Sequence, residues 1–194
     1  MGIAPKIDTI VVVTGHAASG KTVFCQHLAG NIGGDVRIIN VGSILAKKLT
    51  AEGIEVAYKA QIGQVFLEKY GEQAIAAVLE AELKAKCGQD RNIIIDGIRL
   101  RSTMEFIKSA YRGRIVHIHL STSRAILKER VRKLRSKDER ALFKDYMKAE
   151  KRYNHDMRLF GKMADYMVIG DDVTERATNI AQHLQINNKL ADAA

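Results

Sequence analysis

The sequence of 194 residues contains only two cysteines, Cys25 and Cys87, which lie far apart in the chain. Two cysteines without a paired-ligand spacing exclude a disulfide framework and a cysteine-based zinc site. We therefore expect both to be inert thiols in a reducing environment, since an unpaired cysteine is most often simply buried.

Long apolar segments, internal repeats and low-complexity linkers are also missing. No apolar run approaches the roughly 20 residues that a membrane-spanning helix needs, and the first residues lack a signal-peptide pattern. These absences predict a cytoplasmic protein without membrane segments. The length predicts one domain over residues 1–194.

Acidic residues are in the minority, with 22 Asp and Glu against 31 Lys and Arg, giving a net charge of +9. Eleven of the basic residues fall between Lys128 and Arg152. A basic excess of this kind favours anionic partners, either nucleotides or nucleic acid.

Short apolar runs rich in Val and Ile alternate with helical patterns along the chain. Because each run is almost continuously apolar, it is typical of a parallel strand covered on both faces. The sequence thus predicts a three-layer α/β/α domain. The predicted strands are Thr9–Thr14, Val36–Val41, Asn92–Asp96, Arg114–Leu120 and Asp165–Ile169.

Five helical regions are predicted between and after these strands. One covers Thr22–Ala29, and another covers Gln61–Lys86 with a break at Gly71. After the fourth strand, one helical face is formed by Ile126, Leu127, Val131 and Leu134, and Ser136 and Glu139 form the capping box of another helix. The last predicted helix buries Val173, Ala177, Ile180, Ala181 and Leu184.

The stretch from Gly15 to Thr22, GHAASGKT, matches the phosphate-binding pattern GxxxxGK[ST], with a strand before it and a helix after it. The glycines allow a tight turn, and the loop amides point at an anion. Lys21 would lie near the β- and γ-phosphates, and the Thr22 hydroxyl would bind Mg²⁺. We predict that ATP is bound by Gly15, Ala17, Ala18, Ser19, Gly20, Lys21 and Thr22.

A second motif, DGIR, follows the third predicted strand and begins with Asp96. Ligands bind at the carboxyl edge of a parallel sheet, so this carboxylate is a candidate Mg²⁺ ligand together with Thr22. Its alternative role is to cap the next helix. Arg99 ends the motif, and its planar fork suits phosphate; the alternative is a solvated surface charge.

These motifs resemble those of the P-loop nucleotide kinases, in which DGIR corresponds to a DGxPR signature without the proline. Their order over about residues 9–186 is most similar to the dephospho-CoA-kinase-like proteins. The resemblance implies a five-stranded sheet in the order 2-3-1-4-5. It also implies that Arg99 grips the phosphate of an acceptor.

The segment Ile39–Leu49 resembles the acceptor segment of those kinases, which implies acceptor binding by Gly42 and Ser43. Ser43 stands where the family has aspartate, and Ala46 where it has arginine. This departure argues against ordinary adenylate kinase activity. Lys47 or Lys48 could replace the missing arginine.

The basic tract lies in the position of the family's lid, at about residues 124–153. The resemblance implies lid arginines that stabilise the transferring phosphoryl group, and Arg130 and Arg135 are the first candidates. Arg132, Arg140 and Arg152 are the alternatives. The tract is also compatible with a solvated helix face.

Two functions remain open from the sequence. The first is an ATP- and Mg²⁺-dependent kinase for a nucleotide-like acceptor, with Lys21, Asp96, Arg99, Arg130 and Arg135 as the catalytic residues. The second is a regulatory or RNA-associated P-loop ATPase, which we favour less because the basic tract has few aromatic residues for base stacking. We interpret His117 and His119 as buried core histidines rather than a catalytic base. The oligomeric state is not predicted.

Overall fold

The computed structural model describes residues 9–33, 35–56, 61–86, 92–111, 113–133, 151–170 and 172–192. Its strands are β1 (Thr9–Gly15), β2 (Val36–Asn40), β3 (Asn92–Asp96), β4 (Arg114–Ser121) and β5 (Tyr166–Ile169). They form one sheet in the order β2-β3-β1-β4-β5, and every pairing is parallel. All five predicted strands and their order are therefore confirmed.

Eight helices are found within the described residues. They are α1 (Lys21–Ile32), α2 (Val41–Ala51), α3 (Ile62–Tyr70), α4 (Gln73–Lys86), α5 (Arg101–Ala110), α6 (Arg124–Arg132), α7 (Asn154–Met163) and α8 (Val173–Asp192). A short 3₁₀ turn covers Lys151–Tyr153. The predicted break at Gly71 is confirmed, because α3 ends at Tyr70 and Gly71 has a φ of 77°.

The alternation of side chains along β1 divides the core into two layers. Ile10 and Val12 pack into the first layer, which is completed by buried residues of α2, α3, α4, α5 and α7. Val11 and Val13 pack into the second layer, which α1 and α8 complete. The sheet is thus covered on both faces, as its apolar strands predicted.

The inner face predicted for the last helix is confirmed, because all five of its apolar residues are buried on α8. Cys25 is a buried thiol of α1, and burial raises its pKa, which agrees with an inert role. Cys87 lies outside the described residues.

Three helices within the described residues lie outside the helical regions predicted from apolar periodicity: α2, which forms at the predicted acceptor segment, and α5 and α7. The helix predicted from the capping box at Ser136 and Glu139 lies outside the described residues, apart from the 3₁₀ turn at its predicted end. Within the parts of the chain that the structure describes, no helix has the length and apolar character to cross a membrane.

The strand register brings several polar residues to the carboxyl edge of the sheet. Asp96, the last residue of β3, is opposite Asn40 of β2 and Val13 of β1. On the other side of β1, Thr14 is opposite His119 of β4. This edge also carries the loop between β1 and α1, so the candidate site lies there.

Candidate active site

The loop between β1 and α1 has the strained backbone that its glycines allow. Gly15 has a φ of 144°, and a Cβ atom there would lie 2.8 Å from the carbonyl oxygen of Leu120. Gly20, which precedes α1, has a φ of 95°. L-residues with side chains rarely adopt these angles, so both positions require glycine.

The loop leads directly into the N-terminus of α1, where backbone amides favour an anion. Ala18 has a φ of 59° and is the only non-glycine residue with a positive φ within the described ranges. The Ser19 hydroxyl is buried and has no hydrogen-bond partner among the described residues. A buried hydroxyl without a partner is costly, which fits a loop built around a polar ligand.

Lys21 lies inside this loop. Its Nζ donates hydrogen bonds to the carbonyl oxygens of Gly15, at 2.9 Å, and His16, at 2.7 Å. Burial, with a further contribution from the Arg99 guanidinium, lowers the pKa of Lys21 to about 8. The Asp96 carboxylate opposes this change by raising the pKa of Lys21. An anionic ligand would compensate for the burial of this ammonium group.

Thr22 and Asp96, the two predicted Mg²⁺ ligands, contact each other. The Thr22 hydroxyl donates to Oδ2 of Asp96 at 3.0 Å. The same Oδ2 accepts a hydrogen bond from the Nδ2 of Asn40 at 2.8 Å. The alternative of Asp96 as a helix cap is not observed, because the cap position of α5 is Leu100.

Arg99 is partly buried beside this pair. Its guanidinium carbon lies 5.5 Å from the centre of the Tyr153 ring, within the range of a cation–π interaction. The positive charge of Arg99 contributes to the lowered pKa of both Lys21 and His16. The Arg99 guanidinium, the Lys21 ammonium group and the His16 imidazole therefore interact electrostatically at the sheet edge.

The predicted acceptor segment forms the first turn of α2. Asn40 caps this helix, and its Oδ1 accepts hydrogen bonds from the Ser43 amide at 2.9 Å and the Ser43 hydroxyl at 3.0 Å. Gly42 lies within the same turn, and its φ is not positive. The chain therefore turns from β2 into α2 at Asn40, beside the two predicted acceptor residues.

The predicted lid is only partly described. Arg130 lies on α6, and its Nη1 donates a hydrogen bond to the carbonyl oxygen of Ala18 at 2.9 Å, which places this arginine against the loop. Arg135 and Arg140 lie outside the described residues, whereas Arg132 ends α6 and Arg152 is exposed in the 3₁₀ turn. The structure thus places Arg130, one of the two arginines predicted first for the lid, against the loop.

The two histidines of β4 are buried, as expected. His117 and His119 both make hydrogen bonds with the hydroxyl of Thr14, the residue before the loop. Burial lowers the pKa of each to about 4. The rings are therefore neutral at physiological pH and belong to the core beneath the loop.

Sequence reasoning missed two residues that contact the predicted site, Asn40 and Tyr153. Asn40 has a recognisable signal, since an asparagine three positions before a serine at the start of a helix is a typical cap. Its contact with Asp96 depends on the pairing of β2 with β3. Tyr153 reaches Arg99 from the end of the predicted lid segment, and no local pattern indicates that contact.

The sheet order and the phosphate-binding loop between β1 and α1 together define a P-loop kinase fold. Residues 11–159 match the family model described as an AAA domain, and the chain belongs to this family. The resemblance to P-loop kinases that the motifs indicated is thereby confirmed.

Two similar proteins, one matched by sequence and one by structure, are distant in sequence from this chain. The UPF0200 protein of Thermococcus onnurineus (strain NA1) is 22% identical over 180 residues, which cover 90% of this chain and 95% of that protein. A gluconokinase from Sinorhizobium meliloti 1021 has a TM-score of 0.59 at 16% identity, with 97% of this chain and 98% of that chain covered.

Two further solved structures have the same fold. The shikimate kinase from Aquifex aeolicus has a TM-score of 0.57 at 22% identity, with 92% of this chain and 98% of that chain covered. The APS kinase of Mycobacterium tuberculosis, in complex with AMPPNP and APS, has a TM-score of 0.54 at 14% identity, with 93% and 99% covered. At these identities the comparisons show the fold.

Proposed function

We propose that this protein is an ATP- and Mg²⁺-dependent phosphotransferase acting on a small nucleotide-like acceptor, such as a nucleoside monophosphate or dephospho-CoA. The bond between the γ-phosphorus and its bridging oxygen breaks, an acceptor oxygen bonds to that phosphorus, and ADP leaves. The observation that carries the proposal is the 3.0 Å hydrogen bond that joins Thr22, at the end of the phosphate-binding loop, to Asp96 of the DGIR motif.

The donor half of the proposed site is the loop itself. Its amides and the N-terminus of α1 would bind the phosphates of ATP, with the Lys21 ammonium beside the β- and γ-phosphates. The buried Ser19 hydroxyl supports this, because a phosphate oxygen would supply the partner that it lacks among the described residues. The APS kinase neighbour was solved with AMPPNP, which is consistent with a nucleotide in this fold.

Mg²⁺ fits the oxygen atoms at the edge of β3. The Thr22 hydroxyl and the Asp96 carboxylate are hard ligands of the kind this ion prefers, and they are 3.0 Å apart. Mg²⁺ commonly uses one or two such protein ligands together with substrate phosphates. When bound there, it would neutralise phosphate charge.

The acceptor half would be formed by Arg99 and the first turn of α2. Arg99 would hold an anionic group of the acceptor through its guanidinium fork, and Tyr153 supports that guanidinium from one face. Gly42 and Ser43 would lie beside the acceptor. Arg130, already against the loop at Ala18, would stabilise the transferring group, and Arg135 is the second candidate for this role.

The role of Asp96 depends on the nucleophile. If a hydroxyl group attacks, as in dephospho-CoA, Asp96 would accept its proton as a general base. If a phosphate oxygen attacks, as in a nucleoside monophosphate, no base is required. The gluconokinase and shikimate kinase neighbours are named for small acceptors, which supports testing such molecules as well.

A screen of ADP release tests the proposal. Purified protein is assayed with ATP and Mg²⁺ against nucleoside monophosphates, dephospho-CoA, shikimate, gluconate and adenylylsulfate. We expect one acceptor class to raise ADP release above the basal rate, and phosphorylated acceptor to appear in equal amount. If no acceptor does so, the kinase proposal fails.

Three variants assign the residues. Lys21→Ala should abolish transfer, because the loop loses its phosphate-facing ammonium group. Arg99→Ala should lower kcat/KM for the acceptor by about 10- to 100-fold, the usual effect of removing a charged hydrogen bond. Arg101→Ala is the matched control, because this exposed arginine pairs with Glu105 on α5 and should leave the kinetics unchanged.

The net charge of +9 is the observation that favours the alternative, an RNA-associated ATPase. That function predicts RNA binding whose affinity falls steeply with salt, RNA-stimulated ATP hydrolysis, and no phosphorylated small product. An RNA mobility shift at 50 and 200 mM salt, performed beside the acceptor screen, separates the two functions.

A further inference from the structure

Asn40 occupies the junction between the acceptor side and the donor side of the proposed site. It is the last residue of β2 and the cap of α2, and in the strand register it is opposite Asp96. It lies within the predicted acceptor segment Ile39–Leu49, but the resemblance assigns it no role. Its position nevertheless connects α2, the predicted acceptor element, to the carboxylate beside Thr22.

Both the oxygen and the nitrogen of the Asn40 side-chain amide make hydrogen bonds. Its Oδ1 accepts the two hydrogen bonds from Ser43, while its Nδ2 donates to Oδ2 of Asp96 at 2.8 Å. Aspartate or serine would cap a helix about as well as asparagine. An ionised aspartate, however, has no hydrogen to donate, and a serine hydroxyl is too short to replace both ends of the amide.

Asp96 is almost completely buried, and its orientation depends on these donors. Oδ2 receives hydrogen bonds from Asn40 and from Thr22, which belong to different elements of the fold. The two donors therefore hold Oδ2 between β2 and the start of α1.

We propose that Asn40 is a positioning residue that orients the Asp96 carboxylate and couples its orientation to the first turn of α2. This inference rests on the proposed phosphotransferase function, in which Asp96 lies beside the acceptor and Mg²⁺. A shift of α2 on acceptor binding is transmitted through a single side chain to the carboxylate. Asn40 acts through Asp96 and is not itself a catalytic residue.

Two substitutions separate this role from simple helix capping. Both Asn40→Ser and Asn40→Asp retain a good cap, so a purely structural role predicts kinetics close to wild type for both. Asn40→Ser removes the donor to Asp96, so the Asp96 carboxylate is no longer held in its position. We expect kcat to fall about tenfold or more, because small displacements of catalytic groups lower rates strongly. The KM for ATP should change less than threefold.

Asn40→Asp keeps the helix cap, but an ionised aspartate has no hydrogen to donate to Asp96. We expect kcat to fall about tenfold or more, as in Asn40→Ser, with the KM for ATP changed less than threefold. Wild-type kcat in both variants would overturn the proposal.

The matched control is Thr50→Gly, an exposed position near the end of α2. It weakens the helix slightly without touching Asn40 or Asp96. Its kcat should be that of the wild type. If Thr50→Gly lowers kcat as Asn40→Ser does, the effect comes from destabilised α2, and the positioning role is wrong.

A measurement independent of activity distinguishes failure of this inference from failure of the proposed function. Carboxyl ¹³C spectra of aspartate-labelled protein are recorded at neutral pH, and the Asp96 signal is assigned by its loss in Asp96→Asn. We expect the chemical shift of this signal to change in Asn40→Ser, which removes a hydrogen bond to the carboxylate, and to stay the same in Thr50→Gly. Equal chemical shifts in wild type and Asn40→Ser would refute the coupling, whether or not phosphotransfer is detected.

Discussion

The hydroxyl of Thr14 makes hydrogen bonds with two buried imidazoles of β4, at 2.8 Å from Nε2 of His117 and 2.9 Å from Nδ1 of His119. The hydroxyl has one proton, so it can donate to only one ring and accepts from the other. Thr14 directly precedes the phosphate-binding loop. This polar cluster therefore fixes the end of β1 from which the loop begins.

The cluster predicts that the protein loses stability in mild acid. Burial is the main cause that lowers the pKa of both histidines from 6.5 to about 4. The charge of Lys108 lowers the pKa of His117 further. His117, His16 and Lys21 lower the pKa of His119 further. Between these pH values the unfolded chain binds protons that the folded protein does not. Stability is therefore complete above about pH 6.5 and is lost as the pH falls toward 4.

The expected loss between pH 7 and pH 5 is up to about 2 kcal/mol for each histidine. Urea denaturation at several pH values measures it. The variants His117→Gln and His119→Asn keep a polar atom near the bonded ring nitrogen but do not titrate, so the double variant should show a flatter pH dependence. His27→Gln, at an exposed position of α1, is the control. If the stability of the double variant depends on pH as steeply as that of the wild type, the histidine cluster is not the source of the pH dependence.

The phosphate-binding loop and the strands could be predicted because their signals are local. Gly15, Gly20, Lys21 and Thr22 lie within eight consecutive residues, and each strand is a short apolar run. The sheet order came from the resemblance of the motifs to P-loop kinases. The structure confirms that order.

The contacts around the motifs could not be predicted, because they join residues distant in sequence. Asn40 meets Asp96 only once β2 pairs with β3, and Thr14 meets the histidines only through the pairing of β1 with β4. The missed helices α5 and α7 have ten residues each and bury few apolar side chains. Their periodic signal is too short to separate from a loop.

Gly15→Ala should abolish tight nucleotide binding. The φ of 144° is strained for alanine, and the added Cβ would meet the Leu120 carbonyl at 2.8 Å. We expect ATP to bind at least tenfold more weakly by calorimetry, and the free energy of unfolding to fall by about 1–3 kcal/mol.

Gly30→Ala is the matched control for that substitution. Gly30 lies within α1, and a Cβ there would meet nothing within 4 Å. Alanine should stabilise the helix by up to about 1 kcal/mol and leave ATP affinity unchanged. If Gly15→Ala binds ATP as tightly as Gly30→Ala, the close approach of the loop to β4 is not required for binding.

Arg130→Lys should lower kcat by at least tenfold while the charge of α6 is preserved. The Arg130 guanidinium reaches the Ala18 carbonyl at 2.9 Å, so it lies within reach of the loop, and lysine lacks the planar fork that contacts two oxygens at once. Steady-state kinetics with saturating ATP and acceptor measure the effect. Arg124→Lys, at the exposed start of the same helix, should stay within twofold of wild type. Equal kcat values for the two variants would contradict a direct role of Arg130.

Tyr153→Leu should weaken acceptor binding without affecting ATP. The ring of Tyr153 lies 5.5 Å from the Arg99 guanidinium, and a cation–π contact contributes about 0.5–2 kcal/mol. We therefore expect the KM of the acceptor to rise by about 3- to 30-fold, with the KM of ATP unchanged, because Arg99 loses the face that holds it. Tyr153→Phe keeps the ring and should stay within twofold of wild type. Since Tyr153 is buried, Tyr153→Leu also leaves a cavity and lowers the melting temperature. A variant that loses stability but keeps the acceptor KM would show that Tyr153 supports the fold alone.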